Sequence, residues 1–261
     1  MSQLERTEPT LDKVGPENLP ECGIGCITSL KHQGHAPKTE WLRKRFAEGL
    51  RFLLFRDSKG KPLAFLEYVP GEFAWRPVNA EGWLFVHCLW VYPAGQKVGG
   101  LGSRLIEACV EEARQARSLG VAAMVGDGPW ISGKHVYLKN GFDQVAAYDR
   151  FQLVTHQLRE GPPPTFRNIS AKYTKQKGLH IVYSAQCPRL PKSAHDVSEM
   201  AAEHGLNVKV TILKSARQAQ NAPSHYGVFS LLWNGRLLSD HYVSKGRFKN
   251  ILKKEILKET G

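Results

Sequence analysis

Cysteine is scarce in this chain, with five in 261 residues, at positions 22, 26, 88, 109 and 187. An odd and sparse set excludes a disulfide-dense secreted scaffold and fits reduced thiols. Long apolar runs are missing as well. Nothing approaches the roughly 18 consecutive apolar residues that span a bilayer, and the opening MSQLERTEPT is too polar for a secretory signal. The expected location is therefore the cytoplasm, with no membrane partner. Low-complexity sequence is confined to the run Gly161-Pro162-Pro163-Pro164, and there is no internal repeat, so fibrous and solenoid architectures are excluded. Acidic residues are in short supply in one region only. Residues 161–261 hold 16 Lys and Arg against 6 Asp and Glu, a net of +10, whereas residues 1–160 hold 20 against 18, a net of +2. Such asymmetry points to a polyanionic partner for the C-terminal part, such as RNA, or to an acidic protein, or else to a solvated basic surface.

A hydrophobic content of 42% and an aromatic content of 10% are ordinary for a globular chain, and the length allows one large or two modest domains. The proline run is the strongest linker signal, which divides the chain into residues 1–160, a linker 161–177 and a basic domain 178–261. In the first part, Pro37 to Glu48 reads as an amphipathic helix, and Leu50–Phe55 with Leu63–Val69 reads as a pair of strands. Trp83–Tyr92 is apolar on both alternating sets, as a central strand covered on two sides should be. A helix over Ser103–Arg117, a strand over Val121–Val125, a short helix over Ile131–Lys139 and strands over Val145–Leu158 follow. The second part reads strand (Leu179–Ser184), helix (Lys192–His204), strand (Asn207–Leu213), hairpin turning at Asn234-Gly235, and a basic closing helix. Both parts are mixed α/β.

Between the central strand and its helix lies Lys97-Val98-Gly99-Gly100-Leu101-Gly102-Ser103. Glycines let a backbone approach a ligand, and the N–H groups of a helix start attract phosphate. No Gly-Lys-Ser/Thr triplet follows, so a nucleotide P-loop is excluded. With Leu89-Trp90-Val91-Tyr92-Pro93 before it and Tyr137-Leu138-Lys139-Asn140-Gly141-Phe142 after it, this loop resembles the GNAT acyltransferase superfamily over about residues 10–158. Lys97, or Gln96 with one extra residue, stands where that family usually has Arg or Gln. Phe65 to Trp75 and Asp127-Gly128-Pro129-Trp130 resemble the two-domain subgroup that carries a YoaP-like C-terminal domain. The resemblance implies a GNAT fold and acetyl-CoA or another acyl-CoA as donor substrate. It implies further that Lys97, Val98, Gly99, Gly100, Leu101, Gly102 and Ser103 grip the pyrophosphate, that backbone groups at Leu89 and Val91 hold the acyl carbonyl and pantetheine arm, and that Tyr137 protonates the leaving thiolate. Tyr137 could equally be a core tyrosine beside a glycine cap.

Two further residues are singled out by pattern. His87 alternates with Phe85, Leu89 and Val91, where an imidazole could accept an amine proton near neutral pH, or serve as a hydrogen-bonded core histidine. Glu67 alternates with Leu63, Phe65 and Val69, so a carboxylate occupies an apolar position, as a base or as half of a buried salt bridge. Cys22 and Cys26 with His32 and His35 have loose spacing, and no metal site is expected. Cys88 and Cys109 read as packing residues. Acceptor-side segments are expected around residues 20–36 and 72–80, with Phe73 and Trp75 suited to an apolar or planar group.

In the basic domain, a strand leading to Cys187-Pro188-Arg189-Leu190-Pro191 at a helix start resembles the thioredoxin fold over residues 178–258. Leu190 replaces the second cysteine, which argues against dithiol exchange and for binding or docking. The function expected from all this is N-acyl transfer from acyl-CoA to an amine of a small molecule by direct attack. The alternative keeps the fold and takes an aminoacyl-tRNA or a carrier-protein thioester as donor, bound by the basic domain. A third possibility is a basic binding module without catalysis.

Overall fold

The computed structural model describes residues 8–169 and 173–260; the start of the chain and residues 170–172 of the expected linker lie outside the described residues. In chain order the first elements are β1 (Thr10–Val14), α1 (Leu19–Cys22), α2 (His35–Phe46), β2 (Arg51–Arg56), β3 (Pro62–Pro70), β4 (Val78–Asn79) and β5 (Leu84–Val91). There follow α3 (Pro93–Val98), α4 (Leu101–Gln115), β6 (Gly120–Gly126), α5 (His135–Leu138), β7 (Asp143–Tyr148), β8 (Phe151–Gln157) and β9 (Thr165–Phe166). The remainder is β10 (Leu179–Tyr183), α6 (Arg189–Glu203), β11 (Val208–Ile212), α7 (Ala216–Gln220), β12 (Phe229–Trp233), β13 (Arg236–Ser239) and α8, which begins at Lys245.

These elements gather into two compact units that do not follow the chain linearly. One comprises Met1–Thr28, Arg43–Glu72 and Ala80–Pro164; the other comprises Ser29–Leu42, Phe73–Asn79 and Thr165–Gly261. The proline run ends the first unit, while two short stretches from the expected acceptor side belong to the second.

The first unit is built on a seven-stranded sheet in the order β1-β2-β3-β5-β6-β8-β7. Neighbours are antiparallel except β5 and β6, which run parallel. A parallel pair needs a crossover, and α3 and α4 supply it. Leu105, Ile106, Cys109 and Ala113 recur at helical spacing on α4 and pack on Leu66, Tyr68, Val86 and Val121 of the sheet. Each fully buried leucine there is worth about 1.5–3 kcal/mol.

β3 and β5 contain an irregularity that reorients the candidate residues. Glu67 pairs with Cys88 and Tyr68 with Val86, leaving His87 as the extra residue of a β-bulge. A bulge flips the alternation beyond it. His87 therefore shares a face with Phe85, whose ring lies 6.1 Å away, while Leu89 and Val91 pack with the α4 cluster. The simple alternation expected from sequence, with His87, Leu89 and Val91 on one face, is corrected by that extra residue.

The helix expected over Ile131–Lys139 also shortens, to the four residues of α5. Trp130 has φ +69°, and the Ser132 carbonyl accepts the Gly126 N–H at 3.1 Å instead of a helical donor. Helix geometry cannot start until after Gly133.

The second unit holds a four-stranded sheet in the order β11-β10-β12-β13, with β10 and β11 parallel and the other pairs antiparallel. Asn234 and Gly235 both have positive φ, +48° and +80°, as a two-residue hairpin turn demands. Ser244 caps α8 by accepting the Arg247 N–H at 3.2 Å. Two glycines bring the short stretches against this sheet. A Cβ on Gly34 would lie 1.6 Å from the Pro188 carbonyl oxygen, and one on Gly227 would lie 2.9 Å from the Arg76 Cα. Among the described residues no helix is long and apolar enough to cross a membrane.

Candidate active site

The site begins where β5 and β6 part. Their parallel pairing runs from Leu84 with Val121 to Val86 with Ala123, yet β5 continues to Val91 and β6 to Gly126. Backbone groups of β5 beyond the bulge therefore border a gap between strands. Leu89 and Val91 lie on this stretch.

The glycine loop follows directly. Lys97 and Val98 belong to α3, so the loop proper is Gly99 and Gly100, with φ of +80° and +69°. A Cβ on either would meet nothing within 4 Å, which leaves the concave side open. α3 is fixed in place because Gly95 sits where a Cβ would be 2.2 Å from the Leu63 carbonyl oxygen. The first intrahelical bond of α4 is Arg104 N–H to Gly100 O at 3.0 Å. The N–H groups of Leu101, Gly102 and Ser103 are thus the first-turn donors that a helix leaves for an external acceptor. A Cβ on Gly102 would just reach ordinary contact with Val91 and Val136, and the Ser103 hydroxyl accepts the Asn140 amide at 3.1 Å.

His87 and Glu67 meet. The imidazole Nδ1 lies 3.6 Å from Glu67 Oε1, and both side chains are essentially inaccessible, at 0% and 2% exposure. His87 is thus one charged or chargeable neighbour of the buried Glu67 carboxylate. The pair sets a carboxylate beside an imidazole in a region closed to solvent.

Tyr137 is buried on α5, with its ring 5.3 Å from that of Phe142. Burial, then the Cys88 and Cys109 thiols, push its phenol well above the ordinary tyrosine range, and a hydrogen bond with Ser132 pulls it back in part. The Ser132 hydroxyl also donates to the Leu89 carbonyl at 3.3 Å. Ser132 was invisible in the sequence, where it lay inside an expected helix. Cys88 is half-buried and close enough to Tyr137 to influence its phenol. Cys109 is buried, and burial raises its thiol.

Elsewhere, Cys187 precedes α6 and is half-buried. Among the described residues no group of three or more His, Cys, Asp or Glu could hold a metal ion.

Residues 25–142 match the model of the Acetyltransferase (GNAT) family, and residues 208–250 match the YoaP-like model. Residues 25–142 are thus similar to GNAT acetyltransferases, and residues 208–250, later in the chain, to a YoaP-like domain. It is 28% identical over 247 residues to "Uncharacterized N-acetyltransferase YoaP" of Bacillus subtilis (strain 168), covering 92% of this chain and 97% of that protein. Among solved structures it is similar to a GNAT-family acetyltransferase from Staphylococcus aureus Mu50, with 11% identity over 58% of this chain and 100% of that one and a TM-score of 0.44. The PaiA N-acetyltransferase of Thermoplasma acidophilum is similar at 14% identity over 58% of this chain and 99% of that one, with a TM-score of 0.42.

Proposed function

We propose that the chain transfers an acyl group from acetyl-CoA, or another acyl-CoA, to an amine of a small molecule by direct attack. The observation that carries this reading is an open two-glycine turn at the start of α4, beside strands that part at a bulge holding His87 against Glu67. The first-turn N–H groups of α4 are suited to the pyrophosphate, and both glycines leave the room it needs. Backbone groups of Leu89 and Val91 border the gap in which the pantetheine arm and thioester would lie.

In this reading the amine nitrogen attacks the thioester carbonyl carbon, the C–N bond forms and the C–S bond breaks. His87 takes the amine proton while Glu67 stabilises the imidazolium. Tyr137 gives its proton to the departing sulfur. Positioning and proton transfer suffice, and no acyl-enzyme is required. The name of the Bacillus relative supports an amine acceptor and an acetyl donor. An aminoacyl-tRNA or carrier-protein donor is supported by charge alone, and several of the basic groups concerned are already paired, as Lys192 is with Asp196, Arg236 with Glu255 and Lys245 with Glu199.

Calorimetric titration of nucleic-acid-free protein with acetyl-CoA tests the reading. Stoichiometric binding that is abolished by Gly100→Leu is expected. Absence of binding by the unaltered protein refutes it.

A further inference from the structure

We infer that the outer edge of β11 docks an acidic, extended segment of another protein, which adds to the sheet of the second unit as a fifth strand. This goes beyond the acyl-transfer reading and does not depend on it.

β11 is first in the order β11-β10-β12-β13, so only one of its edges is paired within the sheet. Its register against β10 sets Lys209 opposite His180 and Thr211 opposite Val182, and the Leu213 N–H donates to the Tyr183 carbonyl at 2.7 Å. Backbone groups alternate in direction along a strand. Those of Lys209, Thr211 and Leu213 are therefore turned towards β10, and the N–H and C=O groups of Val208, Val210 and Ile212 point outward. Among the described residues no turn, loop or cap hydrogen bond takes up these outward groups. None of the five residues of β11 is buried, although every residue of β12 is. Such a row of donors and acceptors is a template for a further strand.

The side chains say what kind of strand fits. Val210 and Ile212 are 44% and 46% exposed, and Val208 and Val210 stand opposite Leu179 and Ile181, which are buried. A strand with apolar residues at alternate positions would continue that apolar face over them. On the opposite face the edge carries Lys209, which is exposed. Residues 204–239 contain no Asp or Glu, while Lys209, Lys214, Arg217 and Arg236 fall among them. Acidic residues at the intervening positions of the added strand therefore complete the match. In this mode of recognition main-chain hydrogen bonds supply affinity and alternate side chains supply specificity. A second copy of the chain would set the acid-free stretch against itself, and a lysine on an edge strand discourages that pairing. RNA would meet the cations and leave the backbone row and the apolar side chains unmatched.

The test is fluorescence anisotropy of the full chain with a labelled ten-residue peptide alternating glutamate and valine, compared with the same peptide carrying lysine for glutamate. The glutamate peptide should bind and the lysine peptide should not. Val210→Pro removes an outward N–H without touching the bonds to β10, and an edge strand tolerates proline at such a position. It should abolish binding and leave circular dichroism unchanged. Lys209→Glu should weaken the glutamate peptide about tenfold. In amide hydrogen exchange the N–H groups of Val208, Val210 and Ile212 should exchange fast in the free chain and slow down with peptide, whereas that of Thr211 is slow in both. Absence of binding, binding that survives Val210→Pro, or protection confined to other amides overturns the inference. So does binding of an oligoribonucleotide in place of the peptide, or a dimer of the chain that Val210→Pro dissociates. Should Val210→Pro fail to fold, Lys209→Glu and the exchange pattern decide.

Discussion

Two helices of 15 residues each begin after turns, α4 following β5 by way of the short helix α3 and two glycines and α6 following β10 directly, and in sequence both starts look like sites. α4 opens after Gly99 and Gly100, whose backbones are left-handed and whose concave side is empty. α6 opens after Cys187-Pro188, and there the chain at Gly34 presses against the Pro188 carbonyl so closely that no Cβ fits. Near it, burial followed by the charges of Arg189, Lys192 and His35 holds the His32 imidazole below its ordinary pKa. One helix start is thus an accessible cradle of donors, and the other is strapped by another stretch of its own unit. A helix N-terminus is a site only when the backbone leading into it leaves room for the ligand.

The sharpest way to break this comparison is at the chemistry beside α4. Replacing His87 by Ala should reduce kcat by at least about a hundredfold at neutral pH, and Glu67→Gln should cost less while shifting the pH profile, as steady-state rates against pH will show. An unchanged profile in both would remove the buried pair from catalysis. Next in size is Gly100→Leu, which forces a side chain into a φ of +69° and into the open cradle. Acetyl-CoA affinity should fall about a hundredfold or more with the fold retained, measured by calorimetry and circular dichroism.

On the α6 side the expected effect is on stability. Gly34→Ala should destabilise by about 2–4 kcal/mol, because either the strap or Pro188 must shift; denaturant titration measures it. A smaller effect concerns pH. His180 on β10 is buried, its Nε2 lies 2.9 Å from Thr211 Oγ1, and its Nδ1 has no hydrogen-bond partner among the described residues. Burial, then Lys209, pushes its pKa down to about 4. The unfolded chain binds this proton at ordinary histidine pH and the folded chain does not. Stability should therefore be full above about pH 6.5 and decline as pH falls towards about 4, by at most about 3 kcal/mol. His180→Gln should flatten that part of the stability–pH curve. The smallest expected change is about 1 kcal/mol for Ser244→Ala, which removes the cap of α8.

Much of the scaffold was legible beforehand because its signals are local. The doubly apolar strand around Trp83–Tyr92, the glycine turn before α4 and the Asn234-Gly235 hairpin each declare themselves within a few residues, and each stands where it was expected. His87 and Glu67 were visible as polar residues at apolar positions. Their meeting was not, because it depends on a bulge that arises only when β3 and β5 are laid side by side. Ser132 gave no signal at all, since its partner Leu89 comes from a strand that only folding brings to it.

The sequence by itself thus determined the mixed α/β architecture, the family model that residues 25–142 match and the position of the glycine turn, because periodicity and turn chemistry are properties of short stretches. Tertiary structure alone decided that Ser29–Leu42 and Phe73–Asn79 join the C-terminal unit, that His87 turns towards Glu67 and that Ser132 spans β5 and β6. Those outcomes depend on which distant backbones come close enough to exclude a Cβ or share a proton, and no local pattern encodes that distance.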